Sequence, residues 1–237
     1  MKPFSDKKIV DSWRKNASPW IQAIQQSEIE SRTLVTNSAI IDAVLSCSPK
    51  TVLDIGCGEG WLVRALSDYG VSGSGIDVVP ELIIEAQKQS THNYSVLAYE
   101  EINLQTVPDK YDLVVCNFSL LGKESVEHIV NTVPGLLNAG GSFIVQTVDP
   151  EQHGENKSEP FEYRDGWREG SWKGFNNQFS DPAPWYFRTT ESWLNLFKKY
   201  DYELDPLEAQ IKPLNPNTGK PASLILIAKT NFKNYKT

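Results

Sequence analysis

The sequence predicts an α/β fold built on a parallel βαβ sheet, and three observations carry that expectation. Between Thr51 and Thr147, short β-branched runs alternate with segments of helical periodicity, as strands joined by crossover helices do. Tyr111-Asp-Leu-Val-Val-Cys116 is apolar almost throughout, which suits a strand buried on both faces. Near the C-terminal end, a Pro/Asn/Gly turn separates two runs, Leu204–Ile211 and Ser223–Lys229, that fit an antiparallel hairpin closing the sheet edge.

Taken in order, residues 1–49 read as an N-terminal helical cap, with apolar spacing at Ile21 and Ile24, then Ile40, Ile41, Val44 and Leu45, before Pro49 stops the last helix. Residues 50–237 read as one domain. Its first strand is Thr51–Ile55, followed by a glycine-rich turn and a helix over Trp61–Tyr69. Gly75–Val78 is the second strand, and Pro80 opens a helix to Gln89, where a proline at the first helical position costs no hydrogen bond. Tyr94–Ala98 and Tyr111–Cys116 are the third and fourth strands. Ser125–Leu137 is an amphipathic helix closed by Asn138-Ala-Gly-Gly141, and Ser142–Val148 the fifth strand. Residues 150–190 interrupt this rhythm as an insertion: 151–190 hold nine of the 25 aromatic residues, too many for a plain surface loop. A helix over Ser192–Lys199 and the closing hairpin follow.

Composition narrows the function. The 237 residues, 40% hydrophobic and 22% charged, are enough for a sizeable core. No apolar run approaches the ~18 residues of a membrane helix, and the first eleven residues lack the apolar stretch of a secretory signal. Cys47, Cys57 and Cys116 share no metal or redox spacing, and an odd count suits a reduced, cytoplasmic setting. A net charge of -7 without a basic stripe argues against nucleic acid.

The most specific segment is Val52-Leu-Asp-Ile-Gly-Cys-Gly-Glu-Gly60. Glycines between a strand and a helix let backbone approach a ligand closely. The dinucleotide pattern G-x-G-x-x-G would place its last glycine where Trp61 stands. Asp54 beside the turn would repel a pyrophosphate but can hold an ammonium group, which favours a zwitterionic sulfonium cofactor over NAD. Asp77 ends the next strand 19 residues after Gly58, where an acidic side chain can accept from ribose hydroxyls.

Val52–Gly60 resembles motif I of class I S-adenosylmethionine-dependent methyltransferases, and Gly75-Ile-Asp77 resembles their acidic post-motif; the subgroup looks like the small-molecule, quinone-biosynthesis type. The resemblance implies a seven-stranded Rossmann-like sheet with its last strand antiparallel and helices on both faces. It implies S-adenosylmethionine as cofactor, with S-adenosylhomocysteine as product. By it, Asp54 and the Gly56, Cys57, Gly58 and Gly60 backbone face the methionine moiety, and Asp77 with Val78 the ribose side. Tyr99 and Glu100 fall in the adenine-side segment, where Ala98 replaces the family's frequent Asp; Asn117 and Phe118 border the reacting methyl. An N-terminal helix covers this pocket in the family. Arg32 is therefore the candidate clamp for the cofactor carboxylate, since Arg64 sits in the helix beyond the turn.

For the acceptor, Asn117-Phe-Ser-Leu120 lacks the prolines and tyrosine of the amino-methylating tetrapeptide, and no octahedral oxygen set for a metal can be assembled. The insertion begins at the ligand-binding edge of the sheet. Tyr163, Arg164, Trp167, Arg168, Trp185, Tyr186 and Arg188 are thus candidate substrate-binding residues, the arginines suited to stacking on a flat ring or holding an anionic group. His153 is the candidate general base, while His92 and His128 lie in unsuitable places; the resemblance also leaves open a mechanism without a strong base. The expected activity is methyl transfer to a small, aromatic or apolar acceptor. The competing readings are a nicotinamide-dependent oxidoreductase, a non-catalytic S-adenosylmethionine-binding module and a protein methyltransferase.

Overall fold

The N-terminal elements follow from local signals. The Ser5 hydroxyl accepts from Lys8 N and caps α1 (Asp6–Lys15); α2 (Ala17–Gln25) follows directly, and a single π-helical turn, Arg32–Thr36, runs into α3 (Asn37–Ser46). The structure, a computed structural model, describes residues 4–152, 162–204 and 210–230.

The alternation then proceeds as β1 (Thr51–Ile55), α4 (Trp61–Ser67), β2 (Ser72–Asp77), α5 (Pro80–Gln89), β3 (Asn93–Val96), β4 (Tyr111–Asn117), α6 (Glu124–Leu136) and β5 (Leu137–Thr147). Two short strands, β6 (Gly166–Arg168) and β7 (Trp185–Phe187), pair with each other outside the main sheet. The chain returns through α7 (Thr190–Lys199), β8 (Tyr202–Glu203), β9 (Gln210–Ile211) and β10 (Leu224–Thr230). The main sheet runs β3-β2-β1-β4-β5-β10-β8, with β9 also on β10. Its first five strands are parallel, and β10 is antiparallel to β5.

This is the expected Rossmann-like arrangement, with eight strands among the described residues rather than seven. The extra strand is bookkeeping of one edge: β8 and β9 both pair antiparallel with β10, at Lys229–Thr230 and Ile225–Leu226, where one continuous strand was expected. The Asn138–Gly141 segment is a second difference. Expected as a turn, it lies within β5 beside a register shift, with Asn138 Nδ2 donating to Asp112 Oδ1 at 2.8 Å. The β6–β7 hairpin was not expected at all.

Period-two alternation divides the core. Leu53, Ile55, Val114, Cys116 and Phe143 point to the face covered by α6 and α7. Val52, Leu113, Val115 and Ile144 point to the other, against Ile40 and Val44 of α3 and Leu62 and Leu66 of α4. Asp54 has the parity of Val52. Strand geometry therefore commits its carboxylate to the α3–α4 face, next to the turn that carries Arg32.

Candidate cofactor site

The turn after β1 is stitched to the end of β2. Gly56 N and Cys57 N both donate to Ile76 O, at 2.7 and 3.0 Å. Gly58 N donates to Asp77 Oδ2 and Val79 N to Asp77 Oδ1, both at 2.9 Å. Gly56 sits at φ +78°, and a Cβ there would lie 2.3 Å from Ser119 Cβ and 2.6 Å from the Tyr99 hydroxyl. Gly56→Ala is accordingly expected to destabilise the fold by about 2–4 kcal/mol through overpacking plus left-handed strain, read as a lower urea midpoint. A midpoint shift below ~0.5 kcal/mol would show that the Ser119 side can give way.

Three buried carboxylates surround this turn. Burial pushes the Asp54 carboxyl up to about 8; Asp77 and Glu59 push it the same way, and Arg32 opposes them. Asp77 is raised by burial to about 6, held back by the N–H groups of Val79, Gly58 and Val78. Glu59 is raised too, chiefly by burial, with Arg64 opposing through its 3.1 Å ion pair to Oε1. Asp54 Oδ1 and Glu59 Oε2 are buried acceptors without a hydrogen-bond partner among the described residues. Each such group normally has one, so these two are open positions for a donor. Across from them, the Arg32 guanidinium lies 4.8 Å from the Trp61 ring centre and 5.6 Å from that of Trp20, with Nε donating to Asn37 Oδ1 at 3.2 Å. No carboxylate is ion-paired with it among the described residues.

Arg32, Glu59 and Asp77 line a cavity of about 480 Å³ at the carboxyl ends of the parallel strands, within the usual ~300–1,000 Å³ of small-ligand sites. Of the expected cofactor residues, Arg32, Gly56, Cys57, Gly58, Asp77, Val78, Tyr99, Glu100, Asn117 and Phe118 line it. Asp54 is buried and does not line it, and Gly60, at φ +79°, serves instead as the N-cap of α4 against Tyr94. The Tyr99 hydroxyl donates to Ser119 O at 3.2 Å, so this ring is a fixed wall.

The roof is made by two segments distant in sequence. One face of α1 supplies Asp6, Ile9, Val10 and Trp13, and α2 adds Trp20. The insertion supplies Trp172 and Phe175, which meet Trp13 and Trp20 at ring-centre distances of 5.7 and 6.4 Å. The segments are joined by reciprocal bonds between the Asn16 side chain and the Ser180 backbone, 2.8 and 2.9 Å, and by Lys8 and Lys15 on Asp181. Sequence reasoning missed Trp13 and Trp20, although the spacing of Asp6, Ile9, Val10 and Trp13 is that of one helix face.

The expected substrate residues are placed elsewhere. Tyr163, Arg164, Trp167, Arg168, Trp185, Tyr186 and Arg188 do not line the cavity. Arg188 donates to Gly122 O and Lys123 O at 2.9 and 3.0 Å and lies over the Tyr186 and Trp193 rings. Arg168 donates to the carbonyls of Trp167, Glu162 and Arg164, tying its own hairpin together. Arg164 pairs with Glu162 at the surface. Trp167 stacks on Phe4 and meets the Tyr186 ring edge-on, and Tyr163 packs on Phe187. Trp185, Tyr186 and Arg188 wall a separate void of about 10 Å³, room for one water at most. Chain order put these residues at the right edge of the sheet; strand pairing between β6 and β7 then turned them onto each other. His153 lies outside the described residues. His128 Nε2 is 2.9 Å from Ile102 O, away from the cavity.

The groups present fit a zwitterionic nucleoside cofactor: a guanidinium for a carboxylate, orphaned acceptors for an ammonium group, and an acidic strand end for a ribose. Comparison with known proteins agrees. Residues 34–207 match the family model described as "Methyltransferase domain". A curated relative, the ubiquinone biosynthesis O-methyltransferase of Paraburkholderia phytofirmans, is 33% identical over 113 residues, 46% of this chain and 49% of that protein. The chain thus spans about half the length of the curated relatives it matches. A methyltransferase structure from Listeria monocytogenes superposes with a TM-score of 0.59 at 23% identity, over 76% of this chain and 91% of the other. One from Clostridium acetobutylicum does so with 0.62 at 14% identity, over 88% and 95%. The chain belongs to the methyltransferase-domain family and carries the Rossmann-like fold of the class I S-adenosylmethionine-dependent methyltransferases.

Proposed function

We propose that this protein binds S-adenosylmethionine in the 480 Å³ cavity and transfers its methyl group to a small acceptor. The observation that carries the proposal is that Arg32, without a carboxylate partner among the described residues, and the buried, unpartnered oxygens of Asp54 and Glu59 surround one glycine turn. When bound, the cofactor supplies an electrophilic methyl on a positively charged sulfur. The chain's own work is positional. Arg32 holds the carboxylate end, Asp54 and Glu59 the amino end, and Asp77 the ribose, while the Gly56 turn fixes their spacing. Asn117 and Phe118, at the end of β4, border the position of the methyl. The roof of Trp13, Trp20, Trp172 and Phe175 excludes water and aligns the acceptor for in-line displacement.

Relatives named for ubiquinone biosynthesis support a small-molecule acceptor, and the net charge of -7 disfavours a nucleic acid. Among the described residues no helix is long and apolar enough to cross a membrane, and Cys47, Cys57 and Cys116 are free thiols. On these grounds we place the protein in the cytoplasm. We take residues 1–49 as cap and 150–190 as acceptor-side insertion on a 50–237 catalytic domain. The test is a thermal melt with S-adenosylhomocysteine, NAD serving as the control ligand. At ~100 times its dissociation constant the product should stabilise by about 2.7 kcal/mol. Stabilisation by NAD, or none by millimolar S-adenosylhomocysteine, would refute the assignment.

A further inference from the structure

The cofactor groups occupy only part of the cavity wall. The remaining wall includes the α1 face of Asp6, Ile9, Val10 and Trp13, then Leu121, Gly122 and Ser125, and the insertion rings Trp172 and Phe175. Its charged group is the Asp6 carboxylate. The Asp6 carboxylate receives Lys123 N at 3.0 Å and Ser125 N at 2.7 Å, which leaves lone pairs unused. Asn117 Oδ1, at the junction with the cofactor end, is buried without a partner among the described residues. The Trp172 indole N–H is already bonded to Ser180 O at 2.9 Å.

Charge points the same way. Among the described residues Arg32 is the cation on the whole wall, against the carboxylates of Asp6, Glu59, Asp77 and Glu100. Of the arginines expected to meet an anionic substrate, Arg168 and Arg188 are bonded to carbonyls and Arg164 to Glu162, all outside the cavity. Arg188, on Gly122 O and Lys123 O, feels the Asp6 charge from behind the wall and leaves the cavity side of that carboxylate without a cation among the described residues. An anionic acceptor would therefore find repulsion and no cation on this part of the wall. A cation would find a carboxylate and the faces and edges of tryptophan rings, the combination that binds organic ammonium groups.

Resting on the cofactor reading above, we infer that the methyl acceptor is an organic cation. It carries an ammonium-type group on a flat apolar body, held between Asp6 and the Trp13–Trp172 pair. Asp6 is the specificity residue, acting on which molecule binds rather than on which of its atoms is methylated.

The experiment is calorimetric titration of the full chain, first with S-adenosylhomocysteine and then, once saturated, with three probes of similar shape. These are 2-phenylethylamine, 2-phenylethanol and 3-phenylpropionate. The amine should bind at least about tenfold tighter than the alcohol, and the carboxylate weakest. Asp6→Asn keeps an oxygen for one of the two N–H groups but removes the charge. It should erase the amine's advantage while leaving affinity for the alcohol and for S-adenosylhomocysteine within about twofold. Equal affinity for amine and alcohol, no amine binding at millimolar concentration, or an Asp6→Asn variant that retains the preference would each overturn the inference while the cofactor reading stands. Failure of S-adenosylhomocysteine to bind in the first titration would overturn both.

Discussion

Asp54→Asn is expected to make the ligand-free protein more stable at neutral and alkaline pH while weakening the cofactor on the order of 10–100-fold. The unfolded chain loses the Asp54 proton near pH ~3.9, whereas the folded protein keeps it up to about 8, because the buried carboxylate has Asp77 and Glu59 beside it. Between these values the native state binds more protons than the unfolded state, so stability falls as pH rises across the window. Asp77 adds to the same slope up to about 6. The wild-type melting temperature should therefore drop from about pH 5 to about pH 8, and Asp54→Asn should flatten much of the drop. For a chain of this size each kcal/mol recovered is worth roughly 2–4 °C.

Cofactor binding reverses the preference. An ammonium group against Asp54 favours the ionised form, so binding near pH 7 should release protons and strengthen as pH rises toward 8. Titrations in two buffers of different ionisation enthalpy measure that release. A melting temperature independent of pH in the wild type, or proton-neutral binding, would show that Asp54 is ionised without ligand and that the cofactor amino group lies elsewhere.

Trp172→Ala is expected to speed release of S-adenosylhomocysteine on the order of tenfold with little change in global stability. The ring is half-buried and links the insertion to α1 through Trp13, with Phe175 and Phe179 at 5.4 and 4.8 Å. Such aromatic pairs contribute ~0.5–1.5 kcal/mol each, and losing them opens the roof locally rather than unfolding the sheet. Trp185→Ala should do the opposite. Its ring packs on Phe187 beside the 10 Å³ void, so truncation should cost about 3 kcal/mol of stability and leave release nearly unchanged. Stopped-flow release rates and urea melts on the same two variants make the comparison. Equal acceleration in both would mean that the roof is not formed by Trp172.

Much of this molecule was legible in one dimension. The βαβ alternation, the antiparallel closing hairpin, the glycine turn and the acidic end of β2 depend on contacts between near neighbours and on strict periodicities of 2 and 3.6 residues. Such signals survive in sequence because each is satisfied locally. The place of Arg32 on the cavity wall was legible for a different reason: the proposed cofactor's carboxylate would need a cation, and few positions could supply one. What tertiary structure alone decided was the acceptor side. Tyr163, Trp167, Trp185 and Tyr186 are as aromatic as the insertion rings that reach the cavity, and nothing in composition separates Trp172 from Trp185. The β6–β7 pairing turned one set inward on itself, while Asn16–Ser180 and Lys8–Asp181, more than 160 residues apart in the chain, docked the other set onto α1. A ring's neighbours across such a distance follow from how two segments meet on the sheet edge. That meeting is fixed by hydrogen bonds between backbone and polar side chains, which leave no periodic trace in the sequence.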